Sequence, residues 1–334
     1  MKVVFTYHTS SKFREHVTRN VLPGVELVFL DEFDDDIVVA NCTDADMIVD
    51  YKFSKEVLST TKSRYLHIPW TGTDNVDFFL LRSSTSSFTL LNSHDNACTI
   101  AEHALALLLA VSRKIVYSDR LLRSADWSSR LARSVNLSGK TFLFIGYGPV
   151  ARELIKLLKG FDPEILVVRH SPANAGSHET FQVKDMCTAA LPRADVVVVA
   201  LPLTPLTEGL IGERELGSMK SSAFLVNIAR GGIIDEEALY NALRDGTITG
   251  AGIDVWWQYP DSSIAIDGKG EFEKVYPSRF PFHELDNVVM SPHRAWQTDE
   301  GLVLHNRTLI ANINRISEGK LPLEDSVVDL EKKY

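Results

Sequence analysis

Three places in the chain hold residue types that could do chemistry together. They are a Gly146-x-Gly148 turn, Arg230 with two glycines behind it, and His293 after a proline. The turn lies within 140–151 (KTFLFIGYGPVA), where 142–145 reads as a short buried strand and 149–159 as a helix. One glycine allows the bend and the second lets the backbone approach a pyrophosphate. The small Ala151 lets helix and strand pack closely, and phosphate oxygens would sit on the exposed N–H groups of the helix start. A tight strand-to-helix turn alone would also want glycine, so the flanking strand and helix are what make dinucleotide binding the expectation. Gly146, Tyr147, Gly148, Pro149 and Val150 are the residues it points to. Arg230 follows a strand candidate over 223–228, and a guanidinium there can hold carboxylate and carbonyl oxygens in bidentate fashion and stabilise charge. A plain surface arginine is the alternative. Imidazole at His293 suits proton exchange near neutral pH, with a structural histidine as the alternative.

Positioning such groups needs a scaffold, and composition bounds which one. At 334 residues the chain is long enough for two domains with a core each. A formal charge of −9 and a pI near 5.6 argue against nucleic acid or an anionic membrane as the main partner, although local basic groups can still hold an anionic ligand. Cys42, Cys98 and Cys187 are scattered without metal or redox spacing, which fits a reducing cytoplasm and implies no metal centre. The first residues look like a strand rather than a signal peptide, and no apolar run is long enough to span a bilayer.

Along the first hundred residues, β-type runs at 3–5, 26–29, 47–49, 65–68 and 88–91 alternate with helical ones, Ser11–Asn20 being the clearest. That alternation implies a small parallel α/β domain. The acidic run 31–36 reads as a solvated loop. In 69–75 (PWTGTDN), Gly72 lets backbone N–H groups converge on a small anion such as a carboxylate, which makes Trp70, Thr71 and Gly72 substrate candidates; an ordinary turn is the other reading. One helix is expected over 99–123, its first half apolar almost all round and therefore buried on several sides, with His103 as a satisfied helix residue. Further parallel-strand candidates follow at 164–168, 195–200, 223–228, 251–254 and 287–290. The β-branched run 195–200 suits a strand covered on both faces. A final amphipathic helix is expected over 298–318, with a polar tail lying back on the N-terminal domain.

Six patterns then occur in one order: 101–110 (AEHALALLLA), 146–151 (GYGPVA), 201–211 (LPLTPLTEGLI), 227–236 (NIARGGIIDE), 252–255 (GIDV) and 291–293 (SPH). Together they resemble the D-isomer-specific 2-hydroxyacid dehydrogenases, the family of glycerate, lactate and 3-phosphoglycerate dehydrogenases and, more distantly, formate dehydrogenase. The likeness is strong from about 100 to 298 and weak over the first ninety residues. It implies an α/β protein in which a Rossmann-type cofactor domain, 99–297, is inserted in a discontinuous flavodoxin-like substrate domain, 1–98 plus 298–334. It also implies a cleft between the domains, a homodimer across the cofactor domains, and hydride transfer between a nicotinamide and a small 2-oxo or 2-hydroxy acid. In this resemblance Arg230 is the substrate arginine and His293 the proton donor. Asp254 contacts the nicotinamide carboxamide, Leu201 and Pro202 lie over the cofactor with Thr207 close to it, and Ile228 and Ala229 belong to the nicotinamide-side wall. Simple strand-end packing is the alternative for each of these last residues.

The coenzyme expectation rests on 168–171 (VRHS). An acidic residue about twenty positions beyond the glycine turn would hold the ribose 2′-hydroxyl of NAD. Arg169 occupies that place, and Arg169, His170 and Ser171 could bind a 2′-phosphate, so NADP(H) is favoured with NAD(H) the alternative. The family pattern breaks at 254–260 (DVWWQYP), where Tyr259 stands in the place of the glutamate that usually pairs with the histidine. A phenol can hydrogen-bond imidazole but brings no fixed charge. Two alternatives to an oxoacid reductase follow: a formate-dehydrogenase-like oxidation, which needs no proton uptake, and a catalytically weak nucleotide-sensing protein on the same fold. Trp256, Trp257 and Trp296 could narrow or line a pocket, or be interface or core aromatics; the sequence does not choose.

Overall fold

The computed structural model describes residues 1–73, 76–84, 87–169, 178–260, 274–298, 300 and 306–331. They fall into two compact units, Met1–Asn96 with the chain from Gln297 onward, and the described residues between Ala97 and Trp296.

In the first unit the β-type runs become β1 (Lys2–Phe5), β2 (Glu26–Phe29), β3 (Met47–Val49), β4 (Tyr65–His67) and β5 (Thr89–Leu91). They form one parallel sheet in the order β2-β1-β3-β4-β5. The helices are α1 (Ser11–Asn20), α2 (Asp35–Cys42), α3 (Lys55–Thr60) and α4 (Phe78–Ser83), and each starts behind a side-chain cap, at Ser10, Asp34, Ser54 and Asp77. The acidic run is therefore more than a solvated loop. Asp34 accepts from the Asp36 N–H, and Asp35 and Asp36 fill the first turn of α2, where the helix dipole favours negative charge.

One face of this sheet is closed by the C-terminal helix Arg307–Ser317, whose Leu309, Ile310 and Ile313 pack with Val3, Phe5, Met47 and Val49. The tail beyond it lies along β5, through Val328 N–H to Leu90 O (2.9 Å) and Asn92 N–H to Ser326 O (2.8 Å). Fully buried His67 ties these ends together. Burial pushes its pKa down to about 3, so the ring is neutral, with Nδ1 donating to Ile68 O (3.0 Å) and Nε2 accepting from the Asn312 amide (3.2 Å).

The second unit is a seven-stranded, wholly parallel sheet. Its strands are β6 (Thr141–Ile145), β7 (Glu164–Arg169), β8 (Glu179–Gln182), β9 (Val196–Val199), β10 (Phe224–Asn227), β11 (Gly250–Ile253) and β12 (Val288–Met290), in the order β12-β11-β10-β9-β6-β7-β8. Both faces are covered. In β9, Val196 and Val198 point into one hydrophobic layer and Val197 and Val199 into the other, which is why a run of four valines suits it. The first layer is supplied by α5 (Ala97–Ser112) and α7 (Pro149–Leu158), through Leu107, Leu108, Leu154 and Leu158. The second is supplied by α8 (Glu213–Gly217) and α9 (Glu236–Arg244), through Leu216, Leu239 and Leu243.

The single helix expected over 99–123 is two. After α5, Lys114 adopts a left-handed conformation (φ 55°), and α6 (Ile115–Arg123) starts from it. The expected final helix is described over Arg307–Ser317, and residues 299 and 301–305 of its expected span lie outside the described residues.

Candidate active site

The parallel register lines up the carboxyl ends of six strands. Val168 pairs with Ile145, Ile145 with Val199, Val199 with Asn227, Asn227 with Ile253, and Ile253 with Met290. Arg169, Gly146, Ala200, Ile228, Asp254 and Ser291 each stand one residue beyond that line. Gly146, Arg169, Ile228 and Asp254 of the cofactor-side candidates therefore share one edge of one sheet, although they span more than a hundred residues of chain.

β6 has β7 on one side and β9 on the other, so this edge contains the topological switch point, where open α/β sheets hold ligands. The glycine turn sits there. Gly146 has φ +98°, and a Cβ on it would run into the Ala200 carbonyl and the Leu201 side chain. It is thus required by both its own conformation and the close approach of the chain leaving β9. Gly148 is different. It caps α7, Pro149 takes the first helical position, and a Cβ on Gly148 would meet no atom within 4 Å. Among the described residues no packing asks for glycine at that point. The open approach to the first-turn N–H groups, which have no intrahelical acceptor, suits a pyrophosphate. Leu201 lies against this turn across the switch point, while the Thr207 hydroxyl donates to Pro202 O (2.7 Å) and accepts from the Thr204 N–H (2.8 Å), fastening its own loop.

At the end of β7 the Arg169 guanidinium lies 5.9 Å from the centroid of the Tyr147 ring, and His178 is 6.0 Å from the same ring on an edge-on approach. Arg169 thereby stands beside the glycine turn. His170 and Ser171, the other two candidates for a 2′-phosphate, lie outside the described residues.

Arg230 is held by a staple that the sequence did not advertise. Fully buried Asn227 ends β10, accepts from the Ala229 N–H (3.1 Å) and donates its amide to Arg230 O (3.0 Å). The backbone over Ile228, Ala229 and Arg230 is pinned at both ends, and Arg230 Nη1 donates back to Ala229 O (2.7 Å). Gly231 follows because a Cβ there would collide with the Trp256 carbonyl.

His293 has φ +55°, a left-handed conformation uncommon outside glycine, and it persists where the surroundings over-determine it. Asp254, 1% exposed, does that: Oδ1 accepts from Arg294 N–H (3.0 Å) and Oδ2 from Ala295 N–H (3.0 Å), and the Ser291 hydroxyl also donates to Oδ1. Trp296 Nε1 adds a bond to His293 O (3.1 Å). Burial alone would push the Asp254 carboxyl up. Hydrogen bonds from His103, Ser291 and the two amides outweigh it and hold the group below the ordinary carboxylate range. Asp254 thus anchors the turn that carries His293, a task its expected contact with a nicotinamide did not include.

Counting along the chain placed Tyr259 beside the histidine, and its ring is 5.5 Å from the His293 ring. The phenol oxygen accepts from the Trp256 N–H (2.9 Å). For Trp256 and Trp257 the open question resolves toward the core. Trp256 is 5% exposed and donates to Ser291 O (2.7 Å), while Trp257 stacks on Phe282 (5.6 Å) and donates to Ile234 O (3.0 Å). Trp70, Thr71 and Gly72 belong to the first unit. There Trp70 stacks on Tyr51 (5.4 Å), and the Thr71 hydroxyl donates to Ser93 O (2.8 Å). Asp74 and Asn75 of that loop lie outside the described residues.

A doubly wound parallel sheet with a glycine turn at its switch point and a guanidinium and an imidazole on the same edge defines a dinucleotide-binding α/β unit. The model of the D-isomer specific 2-hydroxyacid dehydrogenase NAD binding domain matches residues 105–295, and the chain belongs to that family, whose members act on CH–OH donors with NAD(P). It is 32% identical over 259 residues to glycerate dehydrogenase of Methylorubrum extorquens, covering 75% of this chain and 74% of that one. It is 28% identical over 288 residues to D-3-phosphoglycerate dehydrogenase of Methanocaldococcus jannaschii, covering 83% of this chain but spanning about half, 51%, of that relative. The fold is shared with NADPH-dependent glyoxylate/hydroxypyruvate reductase of Sinorhizobium meliloti, at a TM-score of 0.77 and 20% identity over 98% of each chain. Among the described residues no helix is long and apolar enough to cross a membrane.

Proposed function

We propose that the chain is an NADP(H)-preferring reductase of a small 2-oxo acid, or in reverse a dehydrogenase of the 2-hydroxy acid. The coenzyme, when bound, supplies or accepts the hydride. The chain's own groups do the rest. Arg230 holds the carboxylate and the ketone oxygen through a planar fork, so that charge growing on that oxygen meets fixed donors. His293 gives the oxygen its proton in reduction and takes it back in oxidation. Asp254 keeps the imidazole aimed, Trp70, Thr71 and Gly72 are the substrate-side loop, and Leu201, Pro202, Thr207, Ile228 and Ala229 form the wall around the nicotinamide. The shared register line that brings the glycine turn, Arg230 and the His293 turn to one sheet edge carries this reading. Steady-state assays of glyoxylate, hydroxypyruvate, pyruvate and phenylpyruvate with NADPH and NADH test it. Tight coenzyme binding with no turnover of any of the four would replace it with a nucleotide-sensing role.

Arg169 supports the coenzyme preference, because a guanidinium beside the glycine turn can pair with a 2′-phosphate, where a carboxylate would repel one. Arg169→Ala is expected to raise the KM for NADPH by about 10- to 100-fold, the value of one lost charge-assisted pair, while the KM for NADH stays within about threefold. Equal effects on both coenzymes would remove the 2′-phosphate role.

Tyr259 bears on pH. The reductase direction needs protonated His293, so activity is present below the imidazole pKa and is lost as pH rises through it. A carboxylate in place of the phenol would stabilise the imidazolium. Tyr259→Glu is therefore expected to move the alkaline fall of kcat/KM upward by about one pH unit. An unmoved limb would separate Tyr259 from the imidazole in the working enzyme.

A homodimer through the second unit is part of the proposal. Ile115, Val116 and Leu122 of α6, with Trp127 and Leu131 just beyond, are large apolar side chains left exposed within seventeen positions. Light scattering at a monomer mass would remove it. A reducing cytoplasm, read from the unpaired cysteines Cys42, Cys98 and Cys187, completes the reading.

A further inference from the structure

His103 reads from sequence as an ordinary helix residue, and its surroundings say otherwise. It projects from α5, and its Nε2 lies 2.9 Å from Ser291 Oγ and 3.2 Å from Asp254 Oδ1. Ser291 and Asp254 are both buried and leave adjacent strands, β12 and β11. Ser291 spends its one hydroxyl proton on Asp254, so the contacts of Nε2 are those of an N–H donor shared between the hydroxyl oxygen and the carboxylate. The same carboxylate holds the Arg294 and Ala295 amides, the two that immediately follow His293 and its left-handed backbone. Four donors converge on one carboxylate, three on Oδ1 and one on Oδ2, and two of them come from the turn it orients. The chain of contacts thus runs from α5 through a buried acid to the proposed proton donor, all within the second unit.

We propose that His103 is a positioning residue for hydride-coupled proton transfer, acting through Asp254 and Ser291 to keep the His293 turn in its working conformation. This rests on the oxoacid-reductase reading. A carboxylate that has lost one of its four donors is freer to turn within its pocket, and the amides of Arg294 and Ala295 turn with it. Sub-ångström misplacement of a proton donor slows the chemical step without loosening a coenzyme bound at the glycine turn, which is formed by β6 and α7.

The test compares His103→Leu, which has no donor, with His103→Gln, whose amide can donate from a similar reach. His103→Leu is expected to lower kcat by about 10- to 100-fold, with the dissociation constant for NADPH, read from its fluorescence, unchanged within about threefold. His103→Gln is expected to recover most of the lost rate. A kcat for His103→Leu within twofold of the parent, or equal losses in both variants, would overturn the proposal. Should His103→Leu fail to fold, Ser291→Ala interrupts the same link, and is expected to lower kcat by about 10-fold with the NADPH dissociation constant unchanged within about threefold; a kcat within twofold of the parent would overturn it. The imidazole resonances of His293, followed by NMR in the presence of NADPH, keep the two readings separable. They should shift in His103→Leu and return in His103→Gln even if none of the four oxoacids proves to be the substrate, and resonances identical in all three proteins would sink the positioning role alone.

Discussion

Arg230→Lys is expected to lower kcat/KM for the preferred 2-oxo acid by about three orders of magnitude while leaving NADPH affinity within about threefold. A lysine keeps the charge and loses the fork. Two charge-assisted hydrogen bonds at about 1.5–3 kcal/mol each correspond to roughly 10²- to 10⁴-fold, and most of that is lost when a rotatable ammonium replaces a planar pair of donors. The main chain around Arg230 should survive the change. Its main-chain anchors, the Asn227 side-chain bonds to Ala229 N–H and Arg230 O and the close approach at Gly231, are kept, while the Arg230 Nη1 bond to Ala229 O goes with the guanidinium. Circular dichroism and the coenzyme titration serve as controls. A kcat/KM within tenfold of the parent would mean that the guanidinium faces something other than the reacting acid.

The second large effect is at His293. His293→Gln retains a side chain that can hydrogen-bond but cannot deliver a proton, and kcat in the reductase direction is expected to fall by about 10²- to 10⁴-fold, the usual value of a positioned general acid. The pH dependence should change along with the size of the rate. In the parent the reductase rate is lost as pH rises through the imidazole pKa, and in the variant that limb should vanish, leaving a flat, low profile. A variant that kept the parent's alkaline limb would place the essential acid elsewhere. The formate-type alternative makes the opposite forecast, since an oxidation without proton uptake would keep most of its rate.

Much of the scaffold could be read in advance because parallel strands covered on both faces leave an apolar, β-branched trace. The runs at 26–29 and 47–49 are the observed strands, and 195–200 brackets β9. The break between α5 and α6 left no such trace. Neither glycine nor proline marks Lys114, and the apolar pattern runs straight through it. Strand β8 and helix α8 left no readable signal, since four or five residues carry too little periodicity.

At the candidate site, types and order point to Gly146, Arg230 and His293, and the family resemblance points to Tyr259. What the sequence could not show was which groups aim them. The Asn227 staple and the Asp254 bonds to Arg294 and Ala295 join a side chain to main-chain amides, and amides carry no sequence signature. For the tryptophan pair, two large aromatic residues look alike whether they line a pocket or fill a core. Only the position of Phe282, supplied by a distant segment, decides it. His103 was passed over for a related reason: its partners lie about 150 and 190 positions away.

The sheet of the first unit is finished by a helix made long after its last strand. Val3, Phe5, Met47 and Val49 share a cluster with Val17 of α1, and their cover is completed only when Leu309, Ile310 and Ile313 leave the ribosome. At typical elongation rates of about 5–20 residues per second, the interval between β5 and that helix is roughly 10 to 40 s. During it a sticky apolar surface is presented to everything in the surrounding medium, while the stretch from Ala97 to Trp296 is already complete enough to condense on its own. The strands of the first unit therefore wait for a helix encoded beyond the second unit, a long window in which holding chaperones have a client.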